Sequence, residues 1–236
     1  MRPRSAHRST GPARSPRRGT RLARLLAVSW VAFLLPGVAN ALSIDVSFTS
    51  STYQVQAGDT YPDLLAQHQA GALLGTASVT ALANISTAIY APGVTTDYSI
   101  LMSVTLDVGV SGLYTFQAGV DWGRGGVAAV IDDSTGQVVS EYVRTDNLWW
   151  ANDWNNPDVF TTQVNLAQGD TYTLAWVGFE DCCAGGSTIR FSYGGGAFQT
   201  LDTTSLAPYA AVPEPAALLL VGAGLSLLLT HRSRRA

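Results

Sequence analysis

The stretch GFEDCCAGGSTIRFSY, Gly178 to Tyr193, places Cys182 and Cys183 side by side directly after Glu180 and Asp181. Adjacent Cα atoms lie about 3.8 Å apart across a trans peptide, below the usual disulfide range of about 4.4 to 6.8 Å. A bond between them would make a small, rigid turn that closes almost no loop, so chain entropy is not its purpose. It would present compact sulfur surface beside two carboxylates and the flexible Gly185-Gly186. Two reduced buried thiols, a bond to another chain, or a purely structural turn are the alternatives. Zinc fits poorly, because adjacent cysteines lack the usual ligand spacing and the central region offers one histidine, His68. Redox exchange would want a spaced pair.

A second unusual stretch is RTDNLWWANDWNNPDVF, Arg144 to Phe160, which sets Trp149, Trp150 and Trp154 among amides and carboxylates. It reads as a long loop, and loops on a rigid scaffold are where binding residues gather. Flat aromatic faces beside hydrogen-bonding groups suit sugars, which offer an apolar C–H face and a rim of hydroxyls. The candidate contacts are Trp122, Arg124, Trp149, Trp150, Asn152, Trp154, Glu180 and Asp181. The competing reading folds the tryptophans inward as a satellite core and leaves the polar residues to cap turns. Asp132, Asp133, Asp146, Asp153, Asp158, Glu180 and Asp181 add hard oxygen donors that would suit calcium, although no EF-hand spacing is present.

Catalysis is weakly signalled. No nucleophile elbow or metalloprotease helix occurs, and His68 stands in a plain AQHQAG context. A carboxylate pair on facing strands could serve glycoside hydrolysis without leaving a linear motif, which keeps Glu180 and Asp181 as the residues of an enzymatic alternative.

The elements that must position these groups alternate with period two. Ile100, Met102, Val104, Leu106 and Val108 share one face, with Ser103, Thr105 and Asp107 on the other. The pattern returns at Tyr114, Phe116, Ala118 and Val120, at Phe160, Thr162, Val164 and Leu166, at Tyr172, Leu174 and Trp176, and at Ile189, Phe191 and Tyr193. Turn residues at Asp132 to Gly136 and at Gln168-Gly169-Asp170 predict antiparallel hairpins. Seven to nine strands with one apolar face each predict an all-β, antiparallel β-sandwich of jelly-roll type. The one helical candidate within it is Tyr61 to Leu74.

Charge is divided unevenly along the 236 residues. All 14 basic residues are arginines; only Arg124, Arg144 and Arg190 fall within 42–211, against 16 acidic residues, a formal charge of −13. Nucleic-acid binding needs cationic groups to displace counterions, so that class is excluded, and anionic membranes are poor partners for the same reason.

The ends read as targeting segments. Eight arginines without an acid precede the apolar run Leu25 to Ala41, with small residues Ala39 and Ala41 at a cleavable bond, which predicts a signal helix over 1–41 and a mature start at Leu42. At the other end, Val212-Pro213-Glu214-Pro215 is followed by the apolar run Ala216 to Leu229 and then Arg232, Arg234 and Arg235. That run is marginal as a transmembrane helix, and the arginines would hold its end on the cytoplasmic side of the inner membrane.

This order resembles the PEP-CTERM sorting tail of Gram-negative bacteria. The resemblance implies processing of segment 212–236 by a membrane exosortase and display of the 42–211 passenger on the cell surface or in the extracellular matrix, among exported polysaccharide. The run Gly178-Phe179-Glu180-Asp181-Cys182-Cys183-Ala184-Gly185, preceded by Asp121-Trp122-Gly123-Arg124-Gly125-Gly126 and by Trp149-Trp150-Ala151-Asn152, resembles the CCXG group of such proteins. That group is defined by the cysteine pair and brings no mechanism. The expectation is an exported matrix protein that binds glycan, with a purely structural or adhesive role as first alternative and a carboxylate glycosidase as second.

Overall fold

The computed structural model describes residues 42–211; the expected signal helix, sorting motif and tail helix lie outside the described residues. Among the described residues no helix is long and apolar enough to cross a membrane. The chain runs through β1 (Ser43–Ser50), α1 (Tyr61–Ala70), β2 (Leu73–Val79), α2 (Thr87–Tyr90), β3 (Tyr98–Asp107) and β4 (Gly112–Gly119). It continues through β5 (Asp121–Trp122), β6 (Gly126–Asp132), β7 (Gln137–Arg144), β8 (Leu148–Trp149), β9 (Phe160–Leu166), β10 (Thr171–Glu180), β11 (Thr188–Tyr193) and β12 (Gln199–Thr200), and closes with α3 (Thr203–Leu206) and a 3-10 turn.

All strand pairs are antiparallel. A six-stranded sheet, β2-β1-β3-β10-β6-β7, faces a four-stranded sheet, β12-β11-β4-β9, and β5 and β8 form a separate ribbon. The alternating residues expected to point inward do so: Met102, Val104, Leu106, Tyr114, Phe116, Phe160, Leu174, Trp176, Ile189 and Phe191 are all buried in one cluster. Phe116 of β4 meets Trp176 of β10 edge to face across the two layers, ring centroids 6.2 Å apart. Aromatic pairs of this geometry add about 0.5–1.5 kcal/mol beyond their buried area.

Three expectations are corrected. The Gln168-Gly169-Asp170 turn does not close a hairpin: β9 lies in the small sheet and β10 in the large one, so the chain crosses between layers there. Alternation reveals which side of a strand is buried and says nothing of which sheet it joins. The helix ends at Ala70, and Leu73 and Leu74 open an edge strand instead. Leu148 and Trp149 form a short strand inside the stretch read as a continuous loop.

The outer face of the large sheet is partly covered by α1, where Thr60 N–H donates to Asp63 Oδ2 at 3.0 Å to start the helix. Beneath it His68 is buried between Ser47 Oγ, 2.9 Å from Nε2, and Ser99 Oγ, 2.7 Å from Nδ1. Burial pushes its pKa down to about 4, so the imidazole is neutral and structural at physiological pH.

The sandwich has two poles. Ser50, Tyr98 and Glu180 lie side by side at one. Ser43 pairs with Thr105 near the other, where Ala211 N–H donates to Asp107 O at 2.7 Å. The central strand β10 therefore delivers Glu180 and the cysteine turn to the pole opposite both ends of the described chain.

Candidate functional site

Cys182 and Cys183 are bonded to each other, their Cα atoms 3.7 Å apart. Cys183 and Ala184 take left-handed backbone angles, φ +78° and +53°. Such angles are uncommon outside glycine, and here they accompany the disulfide turn. At Gly185 a side chain would collide with Asp121, so the turn lies directly on that carboxylate.

Glu180 anchors the turn from below. It is 1% exposed; Oε1 accepts the N–H groups of Asp181 and Cys182, both at 2.9 Å, and Oε2 accepts Gly123 N–H at 3.1 Å. Burial outweighs these three hydrogen bonds and, with the nearby Asp121 charge, pushes its pKa up to about 7. Burial, followed by the Asp181 charge, likewise raises the Asp121 carboxyl. With both oxygens occupied and no accessible face, Glu180 is a structural hub and not a group presented to a substrate.

Trp122, 1% exposed, lies against Gly178, where any side chain would strike the indole, and its Nε1–H donates to buried Ser187 Oγ at 3.1 Å. This ties the β5 ribbon to the far end of the cysteine turn. Ser187 in turn exchanges two backbone hydrogen bonds with Ile85, each 2.8 Å, which brings Asn84 to the same pole.

The 144–160 stretch is pinned by Arg144. Its Nε donates to Asp146 Oδ1 at 2.9 Å, one terminal nitrogen to Pro157 O at 2.9 Å, and the other to Asp158 Oδ1 at 3.2 Å and to Asp146 Oδ2. Asp158 Oδ2 also accepts Trp149 N–H at 3.1 Å, and Asn156 Nδ2 donates to Trp149 O at 3.1 Å. Ala151 and Asn152 turn the chain with φ +51° and +57°.

The outcome for the tryptophans is mixed. Trp149 is 63% exposed, Trp150 is 6% exposed, and Trp154 is half-buried against Trp150 with ring centroids 4.4 Å apart. A cavity of about 150 Å³ is lined by Asn84, Asp121, Trp149, Trp150, Ala151, Asn152 and Gly186. Of the residues expected from sequence, it gathers Trp149, Trp150 and Asn152, with Glu180 bracing the turn behind and Asp181 exposed upon it. Trp122 is withdrawn into the core because its indole fills the space over Gly178. Arg124 points away, its terminal nitrogen 2.6 Å from Asp97 Oδ1. Sequence reading missed Asn84 and Asp121. Asp121 belonged to the quoted DWGRGG run, whereas Asn84, left-handed at φ +53°, had no linear signal.

The carboxylates weighed for calcium are largely engaged. Asp132 accepts the N–H groups of Ser134 and Thr135, Asp153 accepts Asn155 N–H, and Asp146 and Asp158 hold Arg144. Glu180, Asp181 and Cys182 bring donor atoms within 4.8 Å, but the Cys182 sulfur is in a disulfide and is no thiolate ligand. Broader depressions of about 660 and 460 Å³, beside Ser50–Gln56 and along Asp45–Ser47, contain none of the residues expected from sequence.

No family model matches the chain, and no curated protein does. Among solved structures, the PA14 sugar-binding domain of an RTX adhesin aligns with 72% of this chain and 98% of its own at 14% identity, TM-score 0.43. The PA14 domain of the antifreeze protein MpAFP aligns over 72% and 92% at 13% identity, TM-score 0.48. The A domain of epithelial adhesin 9 from Candida glabrata, solved with Galb1-4GlcNAc, aligns over 69% and 89% at 11% identity, TM-score 0.45. At such distances function has to be argued from this chain's own side chains.

Proposed function

We propose that the chain is an exported surface or extracellular-matrix protein, sorted by an exosortase through Pro213-Glu214-Pro215, whose β-sandwich holds a glycan residue against Trp149. The observation that carries the reading is an exposed indole standing over a small polar cavity on a braced turn. The cavity is too small for a drug-sized molecule, which needs roughly 300–1,000 Å³. It suits the edge of a single sugar, with Asn84, Asn152 and Asp121 able to meet its hydroxyls while the C–H face lies on Trp149.

One stacking platform and a few hydrogen bonds give weak binding, on the order of millimolar. A matrix protein reaches useful strength through many copies on one polymer, since linked sites raise avidity by about 10²–10⁴. Neutral polysaccharide is the favoured partner, because the −13 charge of residues 42–211 opposes dense polyanions.

The test is a neutral-glycan array probed with the full chain and with Trp149→Ala. Binding that the substitution abolishes supports the reading; unchanged binding, or none, sinks it. The second reading is a structural matrix component without a small ligand, favoured by the burial of Trp122 and Trp150. The closed hydrogen-bond shell of Glu180 argues against the glycosidase alternative.

A further inference from the structure

We propose that the outer face of the four-stranded sheet is a separate binding site for a carboxylate-bearing saccharide, with the Arg190 guanidinium as the group that receives the carboxylate. It stands independently of the Trp149 cavity, on different residues and a different chemistry.

Charge distribution is the starting point. None of the 16 acidic residues of 42–211 falls within β4, β9, β11 or β12. Two of the three arginines are neutralised: Arg124 by Asp97, and Arg144 by Asp146 and Asp158. Arg190, on β11, has no carboxylate partner among the described residues. In a domain so rich in acids, a cation left alone on a sheet without one marks a place where an external anion meets no resident competitor.

The guanidinium is also held in position. Its central carbon lies 4.0 Å from the ring centroid of Trp154 and 4.5 Å from that of Phe198. Nε donates to Gln117 Oε1 at 2.8 Å. The two terminal nitrogens find no protein acceptor among the described residues. Cation–π contacts and one hydrogen bond thus fix the plane while leaving the end that matches a carboxylate bidentately. A guanidinium already ordered loses less side-chain freedom on binding.

The surroundings identify the rest of the ligand. Gln117 Nε2 donates to Thr161 Oγ1 and Gln163 Nε2 to Thr115 Oγ1, both at 3.3 Å, forming an amide and hydroxyl surface beside the aromatic rings. Such a surface meets sugar hydroxyls and gives a fatty acid or an aromatic acid little to contact. A polymer dense in charge would be repelled by the domain as a whole. A uronate spaced along an otherwise neutral chain avoids most of that repulsion, since fields decay over about 8 Å at physiological salt.

The experiment measures calorimetric binding of the full chain to three probes: an oligosaccharide with one glucuronate residue, the same oligosaccharide with that carboxyl reduced to the alcohol, and acetate. The glucuronate probe should bind at least tenfold more tightly than its reduced form, and Arg190→Gln should erase the difference. Equal affinity for the two saccharides, or a preference that survives Arg190→Gln, overturns the proposal. Acetate binding as tightly as the glucuronate probe also overturns it, reducing the site to an anion contact without sugar recognition. If Arg190→Gln impairs folding, Gln117→Met leaves the cation and frees its Nε; the preference should then fall several-fold, and an unchanged preference counts against the site. Trp149-dependent binding of the reduced, neutral probe is read separately, so either reading can fail without the other.

Discussion

Glu180 Oε2 receives the Gly123 N–H at 3.1 Å, joining the end of the central strand β10 to the turn after β5. Because burial raises this carboxyl to about 7 from an ordinary 4.5, the folded state holds its proton more tightly than the unfolded one. The associated stability is fully present below about pH 4.5 and is lost as pH rises through 7. Urea titrations between pH 4 and 8 should show Glu180→Gln gaining of order 1–3 kcal/mol relative to the wild type on alkalinisation. An identical pH slope in both proteins would refute the assignment.

His68 works in the opposite sense. Its folded pKa, near 4, lies below the ordinary 6.5, so its contribution is present above 6.5 and is lost as pH falls through 4. In the window from about 4.5 to 6.5 the two groups oppose each other and the wild-type profile should be nearly flat. His68→Gln should expose the Glu180 slope alone, seen as stability rising on acidification across that window.

Trp122 and Trp149 sit on the paired strands β5 and β8, yet one is buried and the other exposed. Trp122→Ala opens a cavity in the core and should cost about 3–5 kcal/mol. Trp149→Ala, at an exposed position, should stay within about 0.5 kcal/mol by denaturant titration while reducing glycan binding. A large loss of stability from Trp149→Ala would turn the tip tryptophan into a packing residue.

Reduction of Cys182–Cys183 releases a closure of one residue, so the melting temperature should fall by only about 2–4 °C. Hydrogen exchange should nevertheless quicken at 181–187, where Cys183 and Ala184 hold left-handed angles. Intact mass of the unreduced protein should show two hydrogens missing. Unchanged exchange after reduction would show that Glu180 and Asp121 shape the turn without the sulfurs.

The layered arrangement was legible because period-two alternation follows directly from strand geometry: Ile100 to Leu106 and Tyr114 to Ala118 each show their buried face in sequence. The adjacent cysteines were visible too, although only the fold revealed Asp121 lying against Gly185. Which tryptophan stays outside was hidden. Trp149 and Trp150 are neighbours of one composition, and what separates them is the two-residue pairing of β8 with β5, too short to leave a pattern. Asn84 and Arg190 were hidden for another reason: their settings are made by residues distant in the chain, Ser187 for one and Trp154 with Phe198 for the other.

Ser43 and Ala211 leave the sandwich at one pole, and Trp149 stands with the cysteine turn at the other, a strand length of about 30 Å away. A tether joined at either side of the domain would therefore act as a stalk, holding the indole at its greatest reach. Crowding copies along a support would turn every such tip the same way, like bristles on a brush, and leave their flanks to meet one another.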